Sequence, residues 1–600
     1  MHLCSESCGK ARTFTSDLAA LSSTTNTISS CRPARKWHSA GPWCAAYVLV
    51  LISRLILIVF PPAGHVYNVD EMTMLFSTWD RFLGVPSVAI AWPSTILQLL
   101  TLPLFGVHLA VAVLFEGGSS APSLSNLADA LGRVYLYPWP SLTTMRFVSA
   151  TIGSAAPILA AYLAGRFAAS TSAAIVTGTL VAVSGVLWQH SAMATGDGAS
   201  LTFALLAAIV ASPYLGRRGN PFGSGLLCAV ALASKVTVLG LALLSMFVVM
   251  GAPGLRPIKR LQALACWAAG TAIGFVALCP YVWLDPLRFL KGTVGNAMRG
   301  SSQGFSAIMF LLEANMGIFL YIVGPLGMLG LVAMARKPAQ RWVAVALTAT
   351  LLVIGLPLLR AGTVYARYGL PLVIPVYLLA GVGYSVLTSL IQSRRQRGAV
   401  AAMFGVFITV AVARQASSEW SLRQDKPQAI TFHRLRAEFP SAKFFLPYNM
   451  LYEAWPSLTR ADLTRMIASG RERIADPRLT IEFLGAHGLD RQAAAALIHN
   501  FDEDQQAMTA RFAVMERVAP SAAHSIHFYY EIEKEGIPRL ALVESYAPAA
   551  RRRIALEAGP AVFISLTEQP ELRTLTYGGD SKLWVYVKPG KAILQESARE

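Results

Sequence analysis

Eleven apolar runs separated by basic clusters constrain this chain more than any other feature. They lie near 43–60, 88–115, 145–165, 171–190, 199–215, 223–250, 261–282, 306–334, 342–359, 370–391 and 399–414. Most approach the ~20 residues with which a helix crosses ~30 Å of hydrocarbon. Hydrophobic residues make up 54% of the 600, and Asp, Glu, Lys and Arg only 14%, against about 25% charged in soluble domains. A soluble enzyme, a disordered chain and a disulfide scaffold are excluded. The pattern predicts an α-helical polytopic membrane protein.

The net charge of +18 is unevenly placed. From Glu419 onward there are 23 basic and 23 acidic residues, so the first 418 hold 28 basic and 10 acidic ones. The excess thus belongs to the apolar part, which argues against a nucleic-acid partner and for basic cytoplasmic loops. The basic clusters are the N-terminal extension, Arg166, Arg217/Arg218, Arg256/Lys259/Arg260, Arg336/Lys337/Arg341 and Arg394/Arg395/Arg397. If all are cytoplasmic, an even number of crossings separates each from the next. The run 88–115, interrupted by Pro93 and Pro103, then becomes an external membrane-skimming segment. The run 223–250 becomes two short crossings or a re-entrant pair with Lys235 near its turn, at mid-depth or the inner face. About 11 transmembrane helices result, with the N-terminus inside and the tail outside.

Residues 1–40 are Ser/Thr-rich and basic, and read as a disordered cytoplasmic extension or a mis-called start. Residues 41–418 form the transmembrane domain. Residues 419–600 read as a soluble extracytoplasmic α+β domain, with helices over 460–474 and 490–517. Strands are expected at 527–533, 540–546, 561–566 and 583–587. No cysteine follows Cys279 and no CxxC pair occurs, so neither a disulfide framework in the tail nor a zinc ribbon is indicated.

Eight acids of the membrane part, Asp70, Glu71, Asp80, Glu116, Asp129, Asp197, Asp285 and Glu313, fall on the outer side of this topology or at its boundary. That placement suggests an external polar site. Its most informative stretch follows the first crossing: His65-Val-Tyr-Asn-Val-Asp-Glu-Met-Thr-Met-Leu-Phe-Ser-Thr-Trp-Asp-Arg81. Of two adjacent carboxylates, one can take a proton from an acceptor hydroxyl while the other orients substrate or binds a metal. An Asp-Glu pair is equally compatible with an ordinary solvated loop end. His190 precedes Asp197 by seven residues and His65 precedes Asp70 by five. Carboxylate plus histidine is a donor set for a divalent cation, although histidines at helix ends are also common interfacial residues. Arg54 and Lys235 lie within apolar runs, where a central charge costs ~2.5–3.5 kcal/mol, so both should find partners or snorkel.

The order of these features resembles the GT-C superfamily of polytopic glycosyltransferases. The similarity is to its family-39-like branch, which holds protein mannosyltransferases, aminoarabinose transferases and RgtA/B/C/D-like transferases. It rests on Asp70-Glu71 in the first external loop, Trp92-Pro-Ser-Thr-Ile-Leu-Gln-Leu-Leu100, Arg146 opening the next helix and Tyr162-Leu-Ala-Gly-Arg166. Further along come His190-Ser-Ala-Met-Ala-Thr-Gly-Asp197, Gly225-Leu-Leu-Cys-Ala-Val-Ala-Leu-Ala-Ser-Lys-Val-Thr237, Pro280-Tyr-Val-Trp-Leu-Asp-Pro286 and Ala366-Arg-Tyr-Gly-Leu-Pro371. The resemblance covers roughly residues 43–415. Ala91-Trp-Pro-Ser94 departs from the acidic-basic-Pro signature of the aminoarabinose branch. Repeated β-trefoil motifs of the eukaryotic-type mannosyltransferases are not apparent.

The resemblance implies transfer of a sugar from a polyprenyl-phosphate donor to a hydroxyl acceptor at the outer side of a bacterial plasma (inner) membrane, with inversion at the anomeric carbon. Asp70 is then the expected general base, Glu71 its support or a contact to acceptor or metal, and Asp197 a second acidic contact. Arg360 and Arg367, with Arg81 as a further candidate, are expected to bind the donor phosphate. A divalent metal near His65 or His190 is the only cofactor suggested. A transporter or flippase of lipid-linked sugar, and a non-catalytic assembly factor, are the competing readings.

Overall fold

In the computed structural model, the residues described are 40–59, 95–116, 139–211, 219–251, 256–279, 304–338, 340–360, 365–423, four short strands, and isolated positions that include Glu71. Each expected apolar run contains helix. The helices are α1 (Ala40–Val59), α2 (Thr95–Glu116), α3 (Trp139–Gly153), α4 (Ala155–Ala168), α5 (Thr171–Ala182), α6 (Gly185–Ala192), α7 (Asp197–Ala211) and α8 (Pro221–Ser234). They continue with α9 (Leu239–Met250), α10 (Pro257–Leu278), α11 (Phe305–Met316), α12 (Leu320–Arg336), α13 (Arg341–Leu358), α14 (Leu370–Leu390) and α15 (Arg394–Arg423).

Among the described residues, six helices are long and apolar enough to cross a membrane, or eight if each sharply bent pair, α5–α6 and α11–α12, is one span. This is fewer than the eleven expected, because α7, α8 and α9 are apolar but only 12–15 residues long. The chain divides between Leu49 and Val50. Of the first unit the described part is the start of α1; everything below concerns the second.

Its core lies where α4, α5, α7, α8, α9, α13 and α14 pack together. Lipid tails are as apolar as leucine, so helices associate in a membrane through close van der Waals fit rather than hydrophobic exclusion. The sequence supplies that fit with small residues. Gly270 and Gly274 of α10 meet α8, and Gly225 of α8 meets the backbone of α10 at Trp267. A side chain at any of the three would collide with the facing helix. At the other extreme, α15 leaves Met403 71% and Val406 66% exposed, as a lipid-facing helix does.

Breaks in helices position the polar groups. The α5–α6 pair bends by 63°. Arg54 of α1, 2% exposed, donates from Nη2 to the Ala182 carbonyl at the end of α5 (2.9 Å) and lies over the Trp188 ring of α6 (5.1 Å). The Trp188 indole donates to the Ser53 carbonyl (3.2 Å). The expected partner for this intramembrane cation is thus a helix end, whose carbonyls the break leaves without intrahelical donors. Arg54→Leu should free α6 from that orientation. We expect a loss of roughly 1–3 kcal/mol, the cost of an unsatisfied buried acceptor, measurable as a lower midpoint of unfolding in detergent.

The run 223–250 forms two helices, as expected, with Lys235 at the break followed by one 3₁₀ turn (Val236–Val238). Pro103, expected to interrupt 88–115, lies inside α2.

In the tail, β1 (Lys443–Phe445), β2 (Ala561–Ser565), β3 (Thr576–Asp580) and β4 (Leu583–Lys588) form a sheet in the order β1-β2-β4-β3. β1 and β2 pair in parallel; the β2–β4 and β4–β3 pairs are antiparallel. The expected strands at 561–566 and 583–587 are present as β2 and β4. The expected helices at 460–474 and 490–517 and the hairpin at 527–546 lie outside the described residues.

Candidate active site

The site is built around the turn 193–196 between α6 and α7. Met193, Ala194, Thr195 and Gly196 are all buried, which obliges their backbone groups to find partners within the protein. The Ala194 amide donates to Glu71 Oε1 (2.8 Å). The Thr195 carbonyl accepts from Ser149 Oγ (3.3 Å). Below the turn, Gly153 of α3, Ser191 of α6 and Gly198 of α7 converge so closely that a Cβ on Gly153 would stand 2.9 Å from the Ser191 side chain, and one on Gly198 3.1 Å from the Gly153 backbone. The Gly-Asp-Gly sequence at 196–198 therefore serves two needs: glycine for close approach, and an acid at the first position of α7, where the helix dipole favours negative charge.

Two buried charge clusters flank this turn. In the first, Arg146 of α3 grips Glu71 through two parallel bonds, Nε to Oε1 (2.8 Å) and Nη2 to Oε2 (2.7 Å). Glu71 is fully buried and Arg146 4% exposed. With the Ala194 amide, the Glu71 carboxylate accepts three hydrogen bonds. Glu71, Met74, Leu75 and Thr78 are all buried and follow helical spacing on one face.

In the second cluster, Asp197 receives Lys235 at both oxygens (2.7 and 2.8 Å). His190 Nδ1 lies 3.4 Å from Asp197 Oδ2, longer than a good hydrogen bond. Lys235, expected at mid-depth or the inner face, meets Asp197 because the break after Ser234 turns its side chain to the N-terminus of α7. Arg367 adds its charge to the field at Asp197. It sits, 7% exposed, on a 3₁₀ turn (Ala366–Gly369), with its guanidinium near the rings of both Tyr365 (5.2 Å) and Tyr368 (5.8 Å), which meet each other edge to face. Asn315 of α11 holds that turn by donating to the Ala366 carbonyl (2.7 Å).

Of the residues expected at the site, the structure brings together Glu71, Asp197, Arg367 and His190. Arg360 lies exposed in the turn just beyond α13, and it is Arg367 whose charge reaches Asp197. Asp70, Arg81 and His65 lie outside the described residues. Sequence reasoning missed Asn315 and the Ala194 amide. The first is an unremarked amide in an apolar helix, and the second is a backbone group without a side-chain signature. Arg146 was noted only through the family pattern.

The described residues bring together no group of three His, Cys, Asp or Glu side chains able to hold a metal. At Asp197 an ammonium already occupies both carboxylate oxygens, so a cation beside His190 would have to displace Lys235. The residues present there do not fit a resident divalent ion.

No family model and no curated protein matches the chain. Among solved structures it is similar to ArnT from Cupriavidus metallidurans bound to undecaprenyl phosphate, at 13% identity and a TM-score of 0.41, covering 92% of this chain and 98% of that one. It is also similar to the archaeal oligosaccharyltransferase AglB from Archaeoglobus fulgidus in complex with an inhibitory peptide and a dolichol-phosphate. There the identity is 14%, the TM-score 0.36, and the coverage 66% of this chain and 58% of that one.

Proposed function

We propose that this chain is an integral-membrane glycosyltransferase of the GT-C, family-39-like kind, transferring a sugar from a polyprenyl-phosphate donor to a hydroxyl acceptor at the outer side of a bacterial inner membrane. The observation that carries the reading is the convergence of Glu71–Arg146 and Asp197–Lys235–His190 on one buried turn. Both clusters contain residues of the stretches that resemble the family. The topology derived from the basic clusters assigns this turn to the outside. About eleven crossings follow if α7, α8 and α9 each cross, which puts the tail outside as well.

Asp70 is the general base in this reading. It adjoins Glu71 in the sequence, and hydrogen bonds from Arg146 and the Ala194 amide hold Glu71 in place. Glu71 is then a positioning residue, since its carboxylate is fully engaged. The acceptor oxygen attacks the anomeric carbon as its proton passes to Asp70. The bond from that carbon to the phosphate oxygen breaks on the opposite face, and the carrier phosphate leaves with the electron pair. Arg367 is placed to neutralise the charge that grows on the phosphate. Lys235 and Asp197 neutralise each other and hold the turn level with it.

Asp70→Asn should reduce transfer by roughly 10²–10⁴-fold, the range for a positioned proton acceptor, with membrane insertion unchanged. The assay is purified protein in liposomes supplied with a defined polyprenyl-phosphate sugar. Transfer at the wild-type rate would remove Asp70 as the base. Helices broken beside buried charges are also a feature of carriers. A flippase of lipid-linked sugar would retain transport in the same variant while showing no transfer in either protein.

A further inference from the structure

Six cations from two separate stretches of the chain gather at the end of α9 remote from Lys235. Arg256, Lys259 and Arg260 open α10. Arg336, Lys337 and Arg341 belong to the connection from α12 to α13, a tight turn in which the Lys337 carbonyl accepts from the Gln340 and Arg341 amides (2.9 Å each). Trp342, in the first turn of α13, joins the two stretches. A Cβ on Gly251, just past α9, would stand 3.0 Å from the Trp342 side chain. The Arg260 guanidinium lies 5.9 Å from the centre of the Trp342 ring, within cation–π range. α9 has 12 residues, which at 1.5 Å each separate this end from the Lys235 break by ~18 Å. In the topology derived from the basic clusters it is the cytoplasmic end.

These charges are uncompensated. No Asp or Glu occurs from 198 to 284 or from 314 to 418, the stretches that supply the helices here. Among the described residues none of the six has an ion-pair partner. Arg256, Lys259, Arg260 and Arg341 also stand at the N-terminal ends of their helices, where the helix dipole disfavours a cation. The preference of basic residues for the cytoplasmic side explains their sign. It does not explain why two segments far apart in the chain converge on one indole.

The surroundings of the cations select an amphiphile. Trp342 is 46% exposed, and Ile258 (61%), Leu261 (62%) and Val345 (50%) are open beside it on the same two helices, within about a turn of Lys259, Arg260 and Arg341. A lipid covers that apolar surface with its chains while its phosphate meets the cations; a free phosphate or a nucleic acid leaves it bare. Arg341 donates from Nε to the Ala335 carbonyl (3.2 Å), which orients the guanidinium and leaves its two terminal nitrogens for a phosphate.

We propose that the end of α9, the start of α10 and the α12–α13 connection form a binding site for an anionic phospholipid of the inner leaflet. Three cations from each stretch match a head group with two phosphodiesters, of the cardiolipin type. Lys259 and Arg341, both exposed, contact the phosphates. The site is independent of the chemistry at Asp197.

The test is native mass spectrometry of the full chain in detergent, titrated with tetraoleoyl cardiolipin or dioleoyl phosphatidylglycerol, and with inorganic phosphate as competitor. One cardiolipin is expected to be retained in a saturable manner, at a half-saturating concentration roughly fivefold or more below that of phosphatidylglycerol, and not to be displaced by phosphate. Lys259→Gln and Arg341→Gln should each raise that concentration roughly fivefold, equivalent to about 1 kcal/mol per surface cation. Each leaves the other cations in place to fix the sidedness. Arg166→Gln, in a separate basic cluster, should leave cardiolipin binding unchanged. Equal affinity for the two lipids in the unmodified protein would overturn the two-phosphate site without any variant. Displacement by phosphate would overturn the choice of a lipid. Weakening by Arg166→Gln as large as by Lys259→Gln would reduce the patch to a diffuse field and overturn the site.

Discussion

Replacing Arg146 by leucine is expected to cost about 3–5 kcal/mol, the largest single loss in this protein. The pair it breaks is fully buried, and removing one partner strands the other charge. Glu71 would keep the Ala194 amide at 2.8 Å but lose both guanidinium bonds. The stranded carboxylate then either takes up a proton or draws water into the α3–α6 contact. Arg146→Lys should recover only part of the loss, because an ammonium cannot reproduce two parallel bonds to one carboxylate. The double variant Glu71→Gln/Arg146→Met should be far less destabilised than Arg146→Leu, since neither charge remains. Chemical unfolding in detergent measures all three. A double variant no better than the single one would mean that the pair is not a closed unit, and Glu71 would return as a candidate for chemistry.

Lys235→Met should have the second-largest effect. Asp197 would lose the ammonium that meets both of its oxygens and keep the contact to His190 at 3.4 Å and the field of Arg367. With two cationic or polar neighbours left, a loss near the lower end of that same range, about 3 kcal/mol, is expected. Asp197→Asn/Lys235→Met removes both charges and should regain most of the stability. Transfer activity should not return with it, because the ion pair that holds the 193–196 turn level with Arg367 is gone. Stability and activity recovering together would make the pair purely structural. Asp197→Asn alone, leaving Lys235 unpaired, should resemble Lys235→Met in stability.

The two pairs differ in how far they could be read in advance. Asp197 stood out because acids are scarce in the first 418 residues. Lys235 stood out because a cation within an apolar run needs a partner. Their mutual contact did not, since 38 residues and a helix break separate them and nothing local states which way the break turns. Glu71 was legible as half of an Asp-Glu pair, but its engagement by Arg146 depends on a separation of 75 residues. The arginines show the same limit. Arg360 and Arg367 look alike in sequence, both near the end of an apolar run. Only the Asn315 bond to Ala366 and the flanking tyrosines distinguish the buried one.

What the sequence determined by itself is the membrane character, the positions of the helices, and the two places where a buried charge demanded company. These follow from local quantities: hydropathy over a span's length, the spacing of basic clusters, and the cost of an ion in hydrocarbon. Tertiary structure alone decided which charges meet, which arginine is buried, and that a backbone amide at Ala194 helps to hold Glu71. Those outcomes depend on helix breaks and on glycine contacts such as Gly153 with Gly198, where a few ångströms of approach set the register between helices. No single segment encodes such a distance, because it belongs to two of them at once.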